Sequence, residues 1–255
     1  MGIVNLSPDS FSGDGTASLE RALAMAATGA DWLDVGGEST RPGARRVSED
    51  EELSRVIPAI EALRAQCATP ISIDTMKPAV ARAAIGAGAT MWNDVTALGV
   101  SRESLDTAAA LGCQVVLMHM QGEPATMQDD PRYGNVLAEV THFLAQRARA
   151  AEAAGVDRER IWLDPGIGFG KTLAHNLALL RGLGDIVALG FPVLVGASRK
   201  GMIRLIDKTA TDTADRLGGS LAIALAAARA GAAMVRVHDV RETLQALAVG
   251  AAIRG

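Results

Sequence analysis

The 255-residue chain is poor in several features that assign a protein quickly. Aromatic residues make up only 3% of it, so its core has to be built from Ala, Val, Leu and Ile; a hydrophobic content of 49% is ample for a large packed interior. Its two cysteines, Cys67 and Cys113, form no C-x-x-C pair, which argues against a disulfide framework or a thiolate zinc site and in favour of two free thiols. His119, His142, His175 and His238 are too scattered for a zinc constellation. A formal charge of -4 supplies no field that would draw in nucleic acid or an anionic membrane. No uncharged run approaches the roughly 18 apolar residues of a membrane span, and no basic-then-apolar stretch opens the chain as a secretory signal would. A soluble, cytoplasmic protein is expected.

Short β-like runs recur along the chain, each followed by an Ala- and Leu-rich segment of helical period, the pattern of parallel βα units. Eight strands are predicted: 2–6, 31–37, 70–75, 90–95, 114–120, 161–165, 192–198 and 234–240. Ser48 followed by Glu51 reads as a capping box, and Gly29, Gly88, Gly112, Gly155, Gly190 and Gly231 fall where helices should stop. No low-complexity linker divides the series. The expected architecture is α/β, a single (β/α)8 TIM barrel spanning residues 1–255, rather than an open doubly wound sheet.

The chemistry of such a barrel is built at the C-terminal ends of its strands. Polar residues stand there in nearly every unit: Asn5, Asp34, Asp74, Asn93 with Asp94, His119, Asp164, Ser198-Arg199-Lys200, and Arg236 with His238 and Asp239. Asp34, Asp94 and Asp239 are expected to orient loops or neighbouring side chains. Asp74, Asn93 and Asp164 suit a heterocycle with N–H and carbonyl edges, because carboxylates accept and an amide both donates and accepts. The cations of the last two units, Arg199, Lys200, Arg236 and His238, suit a phosphate, although Arg199 could equally, and Arg236 less readily, pair with a rim carboxylate instead. Asn5 offers an oxygen to a Mg²⁺ carried by that phosphate. The stretch "LDPGIGFGKT" (163–172) superficially resembles a phosphate loop, but its glycines have neither Walker A nor dinucleotide spacing. They are expected to let the loop pass close to a flat ligand beside Phe169. The Ser-, Gly- and Pro-rich loops after strands one and two read as lids.

In this order, "MGIVNLSPDSFS", "LDVGGESTRPGA", "ISIDTMKP", "NDV", "LMHMQGEPATMQ", "LDPGIGFGKTLAHNLALL", "LVGASRKGMI" and "RVHDV" closely resemble the motifs of the dihydropteroate synthase family, across nearly the whole chain. The resemblance implies a Mg²⁺-assisted folate-pathway transferase, a sulfonamide target and a homodimer, joining p-aminobenzoate to 6-hydroxymethyl-7,8-dihydropterin pyrophosphate. Carried over by position, it makes Asp74, Asn93, Met118, Asp164, Lys200 and Arg236 the pterin site, with Asp74, Lys200 and Arg236 catalytic. Asn5, Arg236 and His238 would hold the pyrophosphate, and Asn5 its metal. Phe169 and Ser198 would line the p-aminobenzoate site, with Phe11, Thr40, Arg41 and Pro42 on the lids. The "FSGDG" after strand one departs from the usual "FSDGG". A methyltetrahydrofolate-dependent methyltransferase, which needs neither "SRK" nor "ESTRPGA", and a catalytically silent pterin-binding paralogue are the alternatives.

Overall fold

The computed structural model describes residues 1–6, 16–40, 43–253 and 255. Eight short parallel strands alternate with helices. The strands are β1 (Gly2–Asn5), β2 (Leu33–Gly36), β3 (Ile71–Asp74), β4 (Met91–Asp94), β5 (Gln114–Met118), β6 (Ile161–Asp164), β7 (Leu194–Val195) and β8 (Met234–Val235). The helices among the described residues are α1 (Thr16–Thr28), α2 (Glu49–Gln66), α3 (Pro78–Gly86), α4 (Arg102–Leu111), α5 (Val136–Ala153), α6 (Leu173–Arg181), α7 (Leu183–Val187), α8 (Gly201–Ile206), α9 (Leu217–Arg229) and α10 (Val240–Ala252). β1 to β6 pair in chain order, and β7 pairs with β8.

Two single bridges close the ring, Leu163 to Val193 and Gly2 to Val237, with the Ile3 amide donating to the Val237 carbonyl at 2.9 Å and the Val237 amide to that of Met1 at 2.9 Å. The last two strands are much shorter than predicted. Beyond Val195 and Val235 the ladder thins to one bond, from the Arg236 amide to the Val195 carbonyl, and the chain turns to present side chains to the rim.

The twofold alternation of a strand explains how one ring of residues becomes a core and the next a site. Outward-facing Leu33, Val35, Ile71, Ile73, Val115, Leu117, Ile161 and Leu163 pack against the helices in the main apolar cluster. Between them point the inward residues, whose lower layer is apolar: Met91, Val116 and Leu194, with Trp32, Trp162 and Met234. Two positions further along each of these strands, the inward residue changes character, to Asp34, Asn93, Met118, Asp164, Gly196 and Arg236, and β3 adds Asp74 above Ser72. The barrel floor is therefore packed, and only its upper layer carries functional chemistry.

Local signals act as expected at the element ends. The Ser48 side chain accepts from the Glu51 amide at 3.1 Å, while the Glu51 carboxylate turns away to Arg55, so half of the capping box forms. The six glycines at expected helix stops all have positive φ, a conformation open to glycine without penalty.

After β4, Ala97 and Leu98 also have positive φ, at 54° and 59°, where a side chain is strained. The buried Asp94 carboxylate holds this turn by accepting from the Thr96 amide (2.8 Å), the Thr96 hydroxyl (2.7 Å) and the Leu98 amide (3.0 Å), and Arg147 caps the Ala97 and Leu98 carbonyls from α5. Asp94→Ala is expected to lower stability by about 2–4 kcal/mol, because it orphans buried donors and releases a strained turn. A shift in the urea unfolding midpoint checks this, and a midpoint unchanged from the parent protein would refute the role given to Asp94.

Candidate active site

Parallel register places Asn5, Gly36, Asp74 and Asn93 side by side across β1 to β4, and Met118 beside Asp164 across β5 and β6. Side chains from distant parts of the sequence thus meet on one level. Arg236 reaches across the barrel, its Nε donating to Asp34 Oδ2 at 2.5 Å and its NH2 group to Asp74 Oδ2 at 2.8 Å. Asn93 Nδ2 donates to the same Asp34 oxygen at 3.1 Å. Asp164 accepts from the Gly166 amide at 2.7 Å. Asp74, Asn93, Met118 and Asp164 are all buried, Asp74 being the most accessible of them at 9% exposure.

Gathering acids out of water changes their titration. Burial pushes Asp74 up to about 7 against the pull of Arg236, and pushes Asp164 up to about 6 against the Gly166 amide, Lys200 and Arg236. Burial also works against the Arg236 charge, but Asp34 and Asp74 outweigh it and raise its pKa. The result is a hydrogen-bonding floor in which one fixed cation balances acids that are easily protonated.

Above that floor opens a cleft of about 1530 Å³, lined by Asn5, Thr40, Asp74, Phe169, Ser198, Lys200, Arg236 and His238 among others. Its volume accommodates two ring systems and a pyrophosphate, consistent with a site for two substrates. Lys200 Nζ lies 3.9 Å from the centre of the Phe169 ring, a cation–π contact. Phe169 in turn packs with Met76, Val95, Met118 and Met127, a soft apolar wall suited to a flat ligand. Ser198 Oγ is 3.1 Å from His238 Nδ1, which ties the rims of units seven and eight together. Phe11, Arg41 and Pro42 lie outside the described residues; Thr40 lies on the cleft wall.

Arg199 takes the structural of its two roles. Its guanidinium makes a bidentate pair with Asp239, its amide donates to Ser220 Oγ at 2.9 Å, and its φ of 56° turns Ser198 and Lys200 toward the cleft on either side. Asp34, Asp94 and Asp239 likewise orient other groups, as expected. The glycines of "LDPGIGFGKT" serve a different contact from the one anticipated. Gly166 and Gly170, both at positive φ, lie against the backbone of the loop after β5, where a methyl group would collide with the His119 and Gln121 carbonyl oxygens. Gly168 alone approaches the cleft, beside the Lys200 side chain.

Two groups near the site carry no signal that reading by strand ends would catch. Lys171, buried at 3% exposure, is pushed down to about 7 by burial and by Lys200, against Asp164; it contacts His119, which burial and Lys171 together push down to about 3. Lys77, at the N-terminus of α3, donates to Glu38 and Glu52 at 2.5 Å each and so anchors the base of the second lid. Both lysines sit outside the strands, and only the folded contacts distinguish them.

Comparison with known proteins agrees with this geometry. Residues 1–238 match the family model described as "Pterin binding enzyme". The chain is 47% identical to the dihydropteroate synthase of Escherichia coli (strain K12), over 98% of this chain and 89% of that one. Among solved structures, it superposes with a TM-score of 0.94 on the Xanthomonas albilineans dihydropteroate synthase bound to 4-aminobenzoic acid (50% identical, covering 100% of this chain and 92% of that one). With the Yersinia pestis dihydropteroate synthase in a sulfonamide drug complex the TM-score is 0.95, at 42% identity over 100% of this chain and 93% of the other. A closed barrel with an acidic, arginine-centred upper layer, matched at this identity over its whole length, belongs to the pterin-binding enzymes and, among them, to the dihydropteroate synthase family.

Proposed function

We propose that the chain condenses p-aminobenzoate with 6-hydroxymethyl-7,8-dihydropterin pyrophosphate, giving 7,8-dihydropteroate and pyrophosphate, by a dissociative route. The observation that carries the reading is the Asp34–Arg236–Asp74 arrangement under the cleft, joined by Asn93 through Asp34, with the buried Asp164 close enough to feel the Arg236 charge. Asp74, Asn93 and Asp164 hold the pterin through its N–H and carbonyl edges, Met118 packs beneath it, Arg236 stacks on the ring, and Lys200 donates from the cleft wall.

The C–O bond between the pterin methylene and the pyrophosphate breaks first, and the electron pair leaves with the oxygen. The resulting cation is delocalised into the pterin, and the Asp74 carboxylate stabilises it across a site that is already desolvated. Arg236 and His238 stabilise the departing anion. The neutral aromatic amine of p-aminobenzoate, held against Phe169 and Lys200 with Ser198 toward its carboxylate, then forms the C–N bond and loses a proton to solvent. Thr40 stands on the cleft wall beside the acceptor; the other lid residues that the family resemblance names, Phe11, Arg41 and Pro42, lie outside the described residues.

Among the described residues no cluster of three acidic, histidine or cysteine side chains could form a resident metal site. The one neutral amide oxygen of Asn5 on the cleft wall fits a hard ion held mainly by water and substrate phosphate. Bound there, Mg²⁺ would neutralise charge on the pyrophosphate. The reading extends to a cytoplasmic homodimer in which residues 1–255 form a single pterin-binding barrel domain. It is supported by the joining of β8 to β1, by the lack of any described helix long and apolar enough to cross a membrane, and by exposed Leu205, Ile206, Val249 and Ile253 on and beside α8 and α10.

The direct test is pyrophosphate release from dihydropterin pyrophosphate and Mg²⁺, with and without p-aminobenzoate. Release should be coupled to dihydropteroate, should be inhibited by sulfonamides in competition with p-aminobenzoate, and should fall by about 10²-fold or more in Asp74→Ala. Pterin binding without release would mean a silent binding protein instead.

A pH dependence follows from the raised acids. An ionised carboxylate can accept from pterin N–H groups with both oxygens, whereas a protonated one gives up part of that capacity, so ligand binding is linked to proton loss from Asp74 and Asp164. Affinity for a pterin lacking the pyrophosphate should therefore fall as pH drops below about 7 and level off above it. Calorimetric titration between about pH 5 and about pH 8 measures this, and an affinity that is flat or rises in acid would exclude ionised carboxylates as the pterin acceptors.

A further inference from the structure

Lys171 lies in the rejected phosphate-loop stretch, and the mechanism above gives it no task. Its ammonium is nevertheless more fully engaged than most cations in the molecule. Nζ stands 2.9 Å from His119 Nδ1 and donates to the backbone carbonyls of His119 (3.2 Å), Gly166 (3.0 Å) and Phe169 (2.9 Å). Two of these four contacts belong to His119, in the loop after β5, and two belong to the loop after β6. One buried side chain therefore joins the two loops through their main chains.

The contacts around it act in the same sense. Tyr133, near the end of the same β5 loop, donates from its hydroxyl to the Gly170 carbonyl at 2.8 Å. Gln128 Nε2 donates to the Gly168 carbonyl at 2.6 Å, and the Gly168 amide donates to Asn176 Oδ1 at 2.7 Å. Gly166 and Gly170 lie so close to the partner loop that no side chain fits between them. Phe169, at the centre of the stitched segment, places its ring under Lys200. The pterin-holding groups are supported differently, because Asp74, Asn93 and Asp164 stand on strands within the barrel ladder.

We propose that Lys171 is a positioning residue for the acceptor half of the site: it staples the loops after β5 and β6 together and so fixes the Phe169 face on which p-aminobenzoate packs. The proposal rests on the functional reading above and deepens it, giving the two substrates separate supports, strand ladders for the pterin and a lysine staple for the aromatic acid. A side chain that acts through a loop tip changes the fit of the ligand at that tip and leaves the other half of the cleft intact.

Steady-state kinetics of Lys171→Met, Lys171→Arg and Tyr133→Phe test this, together with hydrogen exchange of the 166–170 amides. In Lys171→Met the KM for p-aminobenzoate should rise about ten-fold or more, while that for dihydropterin pyrophosphate stays within about two-fold. Lys171→Arg, which keeps the charge, should recover part of the loss, and Tyr133→Phe, which removes one bond, should shift the same constant a few-fold. Equal rises in both KM values, a fall in kcat alone, or no change would overturn the proposal. If Lys171→Met does not fold, the Tyr133→Phe result decides by the same criteria. A wild-type protein that makes no dihydropteroate would refute the functional reading and leave the staple to be judged by exchange: faster exchange at 166–170 in the variant supports it, and unchanged exchange overturns it.

Discussion

The structure turns on one half-buried cation shared between two acids. Arg236, just past the last strand, reaches Asp34 on the second and Asp74 on the third, bridging residues 202 and 162 positions apart in sequence. The ladder is thinnest where the barrel closes, with single bridges at Leu163–Val193 and Gly2–Val237, so this side-chain bridge lies across the least continuous part of the ring. Burying such a network is no efficient way to gain stability, since apolar side chains of similar volume generally do as well or better. Its value lies in the site, where it holds Asp74 beside a fixed positive charge and leaves the remaining carboxylate capacity for a ligand.

From this constraint the division of the barrel interior follows. Below, Trp32, Met91, Val116, Trp162, Leu194 and Met234 fill the space with apolar side chains. Above, the same alternation delivers Asp34, Asn93, Asp164 and Arg236, and only the adjacent strand-end loops have to vary to build the cleft. Those loops are fixed individually: Asp94 and Arg147 hold the strained turn at Ala97 and Leu98, Asp239 and Ser220 hold Arg199, and Lys77 holds Glu38. Each anchor is a charged or hydroxyl group bound to backbone or to a partner charge, which leaves the loop tips free to carry side chains that face the ligand.

Most of this was legible in the sequence wherever a residue's role is set by its place on a strand. The period of two puts Asp74, Asn93, Asp164 and Arg236 on the inner face, and the strand ends put them on the rim, so their convergence needed only the assumption of a closed ring. Helix stops at glycine were legible because positive φ has a local cause. The contacts of Lys171 and Lys77 were not legible, and the sequence left Arg199 between two roles, because each depends on which distant backbone or carboxylate lies within hydrogen-bond reach after folding. Gly166 and Gly170 were misread for the same reason: their neighbour is the loop after β5, which no spacing rule connects to them. The short extents of β7 and β8 were also beyond the pattern, since an apolar run does not say where its ladder partners end.

The central claim is that Asp74 and Arg236 act as one unit in holding the pterin. A double-mutant cycle on Asp74→Asn and Arg236→Met, read as affinity for 6-hydroxymethyl-7,8-dihydropterin by calorimetry, tests it most directly. A shared network predicts a coupling energy of about 1.5 kcal/mol or more between the two changes. Effects that add to within about 0.5 kcal/mol would mean that the two side chains serve the ligand independently, and would contradict the account.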